Sequence, residues 1–233
     1  MKEALKIAII GDFNFTYNAH HATNLAIEHA AHLLEVEVNY YWIRVHEAAG
    51  LKVNKYSGFD GVLLAPGPYE NAFFLNEVLK TILEAQVPIL ITGLGFKTFL
   101  EVVIKMYNLN PSQEKVISNN LAAEDHFEKV EVIPITESLK KLYQHSNRLE
   151  LTNSRYSIYP DILKVLKEEV IDVEGVNQFD EPEVISLKSR QFCVASMSLP
   201  QVCSTKEAPH PLISAFLNYI KNSSQREGVK KHG

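Results

Sequence analysis

Residues 87–97 read VPILITGLGFK. A proline leads a short apolar run, a glycine-rich turn follows, and a helical pattern occupies 98–106. An apolar run of this length between Pro and Gly is a buried strand. The turn Thr92-Gly93-Leu94-Gly95 then throws the chain into a helix. A sharp strand–turn–helix is where α/β enzymes hold a nucleophile, because the turn exposes a side chain and the helix N-terminus offers backbone N–H groups. The residue at the point of this turn is Gly93, which has no side chain. The stretch has the geometry of a nucleophile elbow without the nucleophile.

Working outward, 5–10 (LKIAII) is continuously apolar, as in a strand buried on both faces of a parallel sheet, and 11–14 end it. Helical periodicity runs through 20–34 on Ala22, Leu25, Ala26, His29, Ala30 and Leu33. Residues 35–45 alternate and are rich in β-branched and aromatic types, a second strand. A third, 61–65, stops at Pro66-Gly67-Pro68, and a helix over 75–85 leads to the strand 89–92. This βαβ rhythm predicts a doubly wound, mostly parallel α/β sheet with helices on both faces. Sites in such sheets lie beyond the carboxyl ends of the strands, which puts 12–14, 66–71 and 92–97 on one rim.

Downstream, 129–135 and 155–158 read as strands of a smaller antiparallel portion, followed by a helix over 162–169. Two more strands are expected at 184–187 and 192–196, and a last helix at 212–221, with proline in its first turn. Residues 222–233 are polar and charged and read as a disordered tail, which leaves 1–221 as a single domain.

The 233 residues carry a net charge of −5, against the basic surplus of a nucleic-acid binder. The opening MKEALKIAIIG is too short and too interrupted by charge for a signal peptide, and no run reaches the length of a membrane span. A cytoplasmic protein is expected, with neither nucleic acid nor membrane as partner. Cys193 and Cys203 fit reduced thiols rather than a disulfide framework. His21, His29 and His32 invite a metal reading, but no Cys or carboxylate constellation completes it, so no metal or other cofactor is expected.

Several short motifs then fall into a familiar order. They are IAIIGDFN at 7–14, His21-Ala22-Thr23-Asn24, Ala65-Pro66-Gly67, PILITGLGF at 88–96, and Ser154-Arg155-Tyr156 followed by Pro160-Asp161. Ser198-Leu199-Pro200-Gln201 and Pro209-His210-Pro211-Leu212-Ile213 close the series. Over residues 6 to 219 the chain resembles the class I glutamine amidotransferase domain of CTP synthase, and more closely the CTP synthase C-terminal region-related proteins. The resemblance implies a flavodoxin-like fold. It also implies a site at the elbow, where working members hold a Cys that attacks the glutamine amide and a His-x-Glu pair that deprotonates and orients it. The matching positions here are Gly93, Leu199 and Gln201. Leucine cannot exchange a proton, and an amide cannot stabilise an imidazolium as a carboxylate does. The related group also has Pro-Gln for Pro-Glu but keeps the Cys, so Gly93 is a further departure.

Other site positions survive in altered form. The family's Gly-Gly-Phe-Gly oxyanion loop is matched by Gly67-Pro68-Tyr69-Glu70, in which Pro68 removes a backbone N–H. Arg155 matches an arginine that pairs with the glutamine carboxylate. Lys97 replaces the Gln that closes the elbow motif, with Glu101 one turn on as an ion-pair partner. Asp12 and Asn14 are turn residues at the rim, and His210 is expected to cap the last helix. The ligand-binding candidates are therefore Gly67, Tyr69, Glu70, Gly93, Leu94, Lys97, Arg155 and Ser198. Two readings follow. The first is an amidotransferase-like protein without glutaminase activity that binds a small carboxylate or amide, or a protein partner, a second copy of itself included. The second is an enzyme with altered hydrolase or transferase chemistry on the same scaffold. CTP synthesis by this sequence is disfavoured, since it holds no G-x-x-x-x-G-K-[ST] phosphate loop; it would contribute only in trans to a synthetase.

Overall fold

The structure is a computed structural model that describes residues 4–122 and 126–230. Its first half contains β1 (Leu5–Ile10), α1 (Asn18–Leu33), β2 (Val38–Ile43), α2 (Val45–Ala49), α3 (Val53–Tyr56), β3 (Gly61–Leu64), α4 (Leu75–Ala85), β4 (Ile89–Thr92) and α5 (Gly95–Met106). The second half adds β5 (Glu128–Glu131), β6 (Ile133–Pro134), α6 (Glu137–Leu142), β7 (Leu149–Thr152), α7 (Pro160–Glu169), β8 (Ile171–Val176), β9 (Pro182–Leu187), β10 (Cys193–Ser196) and α8 (Pro211–Lys230).

One eight-stranded sheet runs β2-β1-β3-β4-β10-β9-β8-β6. Its first five strands are parallel, and β9, β8 and β6 extend it antiparallel. β5 and β7 form a separate two-stranded sheet. The continuous apolar runs follow from helices on both faces. Ile7, Ile9, Leu63 and Leu90 face α1 and α8, while Ala8, Ile10, Val62, Leu64 and Ile91 face α4 and α5. β3 and α8 approach closely at Gly61: a Cβ there would lie 2.7 Å from Phe216 Cζ and 3.1 Å from Ile220 Cγ2.

The expected parallel half and antiparallel portion are both present, with corrections. Residues 155–158 are not a strand. The partner of β5 is β7, and 155–158 are irregular apart from a single bridge between Ile117 and Ile158. Thr152 turns the chain there, its hydroxyl donating to Ser154 O at 2.6 Å and accepting the Ser154 N–H at 3.1 Å. β8 was not expected; its residues alternate inward and outward, but Asp172, Glu174 and Gly175 dilute the pattern. The last strand, β10, lies parallel beside β4 with Ser196 opposite Thr92. The stretch 222–230, expected as a disordered tail, continues α8. Ser223 Oγ donates to Tyr219 O at 3.0 Å and Ser224 Oγ to Asp60 Oδ1 at 2.8 Å. Residues 231–233 lie outside the described residues.

A buried polar cluster joins the two-stranded sheet to the main one. Glu150 on β7 accepts from Tyr143 Oη at 2.6 Å, from His210 Nε2 at 3.0 Å and from the Ser198 hydroxyl. Ser198 and Ser196 share a 2.8 Å hydrogen bond. His210 Nδ1 accepts the Leu212 N–H at 3.2 Å, which leaves the ring proton on Nε2 toward Glu150 and caps α8. Burial alone would raise the Glu150 carboxyl; the adjoining His210 ring, followed by the Ser198 and Tyr143 hydroxyls, outweighs burial and leaves it below its ordinary value. Glu183 on β9 is equally buried, with Oε1 unpartnered among the described residues and Oε2 accepting from Asn177 Nδ2 at 3.5 Å. Burial and the neighbouring Glu150 charge push the Glu183 carboxyl up to about 8.

Two outcomes are expected from this packing. Gly61→Ala forces β3 and α8 apart and costs about 1–3 kcal/mol in urea unfolding; an unchanged midpoint would contradict the close approach. Glu183 is protonated when folded and ionised when unfolded between its ordinary value of 4.5 and about 8. The folded state binds the extra proton, so this group makes stability fall as pH rises across that window. Glu183→Gln is expected to flatten the fall, read as urea midpoints across the window; an identical slope in both proteins would contradict it.

Candidate functional site

β4 and β10 end side by side, so the elbow 92–95 and the segment 197–201 leave the sheet together. Gly93 takes φ +59°, a left-handed conformation suited to glycine. A Cβ on Gly93 would lie 2.8 Å from Leu199 Cδ2, 2.9 Å from Pro66 O and 3.0 Å from Pro66 Cβ, closer than real Cβ atoms pack. The backbone donors of the turn are also used. Gly93 N–H is shared between Ser196 O at 3.0 Å and Ser198 O at 3.3 Å, and Leu94 N–H donates to Pro66 O at 3.1 Å. In an elbow of this kind the N–H after the central residue is the one that would stabilise an oxyanion. Here that donor closes the turn onto the β3 loop.

The neighbouring positions are built as core. Leu199 is fully buried, and its N–H donates to Leu151 O at 2.8 Å. Gln201, 2% exposed, donates from Nε2 to Thr92 Oγ1 at 2.9 Å and to Thr23 Oγ1 at 3.5 Å. Both hydroxyls spend their own protons on carbonyls, Thr92 on Leu64 O at 3.2 Å and Thr23 on Ala19 O at 2.8 Å. They can only accept from Gln201, so the amide NH₂ is the end that faces them. An ionised carboxylate in that place would set oxygen against two acceptors. Gln201 thus ties the 197–201 segment to β4 and α1.

The β3 loop is equally filled. Gly67 takes φ +83°, and a Cβ there would meet Leu94 Cδ1 at 2.9 Å and Tyr69 Cε2 at 3.3 Å. The Tyr69 hydroxyl donates to Ala65 O at 2.5 Å, and burial holds its phenol well above the usual range. Glu70 is exposed, and its N–H donates to Asp12 Oδ2 at 2.9 Å. The other Asp12 oxygen accepts the Val45 N–H at 3.1 Å, so Asp12 pins the loop and the start of α2. His20 bridges the same loops. Its Nδ1 accepts the Asn14 N–H at 3.0 Å and its Nε2 donates to Gly67 O at 3.3 Å, with burial lowering its pKa.

The remaining candidates lie apart from one another in their bonding. Lys97 Nζ is 3.5 Å from Glu101 and 5.6 Å from the Tyr156 ring centroid. The Arg155 guanidinium lies 3.9 Å from Glu128 and 5.3 Å from the Phe179 ring centroid, partners in the antiparallel half. Ser198 is turned inward onto Glu150. Among the described residues no three His, Cys, Asp or Glu side chains are grouped to hold a metal. His21 Nε2 is bonded to Phe15 O at 2.9 Å and His29 Nδ1 to Ser204 Oγ at 3.3 Å. Sequence reasoning did not single out Glu150 or Glu183, and it named Thr23 and Thr92 only as members of motifs, with no role. The one signal was Glu150 between Leu149 and Leu151, an acid whose neighbours point the other way along a strand.

No family model matches the chain. It is 23% identical over 248 residues to the CTP synthase of Sulfolobus acidocaldarius, covering 94% of this chain and 45% of that protein. It is 23% identical over 249 residues to the CTP synthase of Cytophaga hutchinsonii, covering 97% and 46%. The chain therefore spans about half the length of the curated relatives it matches. Among solved structures it is similar to the glutaminase domain of Trypanosoma brucei CTPS with bound acivicin, at a TM-score of 0.76 and 18% identity over 94% of each chain. No helix among the described residues is long and apolar enough to cross a membrane. The ordered motifs, the elbow between β4 and α5 and these similarities agree: the chain has a class I glutamine amidotransferase-like fold and is distantly similar, at 23% identity, to CTP synthases.

Proposed function

We propose that this protein is a glutaminase-like domain without glutaminase activity, which acts by binding. The observation that carries the reading is the filled elbow: Leu199 and Pro66 occupy the volume that any side chain on Gly93 would need. Amide hydrolysis through a thioester requires a thiolate, a base beside it and an oxyanion donor. Gly93, Leu199 and Gln201 supply none of the side-chain groups, and the Leu94 N–H is bonded to Pro66 O. The altered-enzyme reading draws no comparable support: of its polar groups, Tyr69, Lys97, Arg155 and Ser198 are each engaged with another residue of the chain, and Glu70 is exposed on the β3 loop.

A macromolecular partner is favoured over a small ligand at the elbow. Phe15 and Phe73, each 78% exposed, stand with Phe13 and Tyr17 on the loops after β1 and β3. Those loops are stapled together by Asp12 and His20. Exposed aromatics collected on one rim mark a protein-contact surface. An accessory role beside a synthetase belongs to this reading.

The purified protein is expected to release no ammonia from glutamine above a protein-free blank. Gly93→Cys is expected to leave that result unchanged and to lower stability by about 1–3 kcal/mol through overpacking, a Tm loss of several degrees. Glutamine-dependent ammonia release by the natural sequence, reduced by substitution of Leu94 or Ser198, would overturn the proposal.

A further inference from the structure

A trough of about 350 Å³ opens on the α6 and α8 side of the antiparallel extension, at the end of β10 opposite the elbow. Leu139, Leu142, Leu212 and Val194 give it an apolar lining, and Asp172, Glu174, Lys188 and Arg190 supply its charges. Two of those four charges are already committed. Glu174 Oε1 accepts from Ser186 Oγ at 2.6 Å, and its Oε2 accepts from Ser138 Oγ at 3.1 Å and from the Thr136 hydroxyl. Lys188 Nζ donates to Lys167 O at 2.6 Å and Glu168 O at 3.1 Å, at the C-terminal end of α7.

The other two are uncommitted. Among the described residues neither the Asp172 carboxylate nor the Arg190 guanidinium makes a side-chain hydrogen bond or ion pair. Arg190 is half-buried, and its charge acts on the buried Cys193 thiol at the start of β10. Asp172 is exposed, on the strand position opposite Ser186. The trough thus presents one free cation and one free anion over an apolar lining. Its size lies at the lower end of small-molecule sites.

We propose that this trough binds a free α-amino acid with an apolar side chain. Its carboxylate pairs with Arg190 in the forked geometry that a guanidinium offers, its ammonium pairs with Asp172, and its side chain covers Leu142 and Leu212. A ligand of either single charge leaves one free group of the protein unmatched, and a fully apolar one leaves both. The site is separate from the elbow, so the proposal stands or falls independently of glutaminase activity.

The test is thermal unfolding and calorimetric titration of the full chain with valine, leucine, methionine and phenylalanine. Beside leucine stand 4-methylpentanoate, which lacks the ammonium, and 3-methylbutylamine, which lacks the carboxylate. At least one of the amino acids is expected to raise Tm saturably, by about 5–10 °C at one hundred times Kd. The single-charge analogues are expected to bind at least about tenfold more weakly than leucine if leucine binds. R190Q and D172N change side chains at the mouth, where the fold is expected to persist by circular dichroism, and each should weaken binding by a similar factor. Absence of a saturable shift with all four amino acids overturns the proposal. So does binding that neither variant weakens, or an analogue that binds as tightly as leucine.

Discussion

Leu199 and the carbonyl and ring of Pro66 close off the space beside Gly93 that a Cβ would need. This contact holds three segments in place: the elbow after β4, the loop after β3 and the strand-end after β10. Leu94 N–H on Pro66 O and Gly93 N–H on Ser196 O and Ser198 O close the same junction with backbone hydrogen bonds. Glycine is required twice over, by the positive φ and by the missing room, so the position carries a backbone constraint as strict as the one a nucleophile elbow imposes. The scaffold keeps that sharp turn while the space around it is packed as core.

The rest of the site follows from the same junction. Once Leu199 is a core residue, the segment around it must find partners for its polar groups. Ser198 turns onto Glu150, and Gln201 donates to the Thr92 and Thr23 hydroxyls. Glu150 in turn collects Tyr143 and His210. Removing one partner of such a buried pair leaves a charge or donor unmatched, typically at a cost of about 3–5 kcal/mol. The neighbouring Glu183 keeps one oxygen unpartnered and takes up a proton instead, which is the lesser cost for a second carboxylate beside an ionised one. These groups fix the position of 197–201 and are shielded from solvent.

The parallel half was legible because its strands are uninterrupted apolar runs between Gly and Pro, which only a two-sided sheet explains. Residues 5–10, 61–64 and 89–92 carry that signal directly. The antiparallel half was less legible. Thr152 bends the chain by a side-chain hydrogen bond, so the β-rich residues after it fall outside any strand, and β8 hides its alternation behind acids that point to the trough side. Glycine at the point of the elbow was visible in the sequence. The reason no other group takes its place was not, since it depends on Leu199 and Pro66 meeting Gly93 across three separated segments. The orientation of the Gln201 amide likewise rests on two threonines, one of them 178 residues away.

The central claim, that the elbow is packed shut, is tested most directly by methyl NMR of leucine-labelled protein titrated with glutamine. The account predicts that the Leu199 and Leu94 methyl resonances stay at fixed positions through the titration, because their methyls already occupy the volume beside Gly93 and Gly67. Saturable shifts of both methyls with glutamine, with the Leu94 shift lost in a Leu199→Phe variant, would mean that the pocket opens to ligand, and would contradict it.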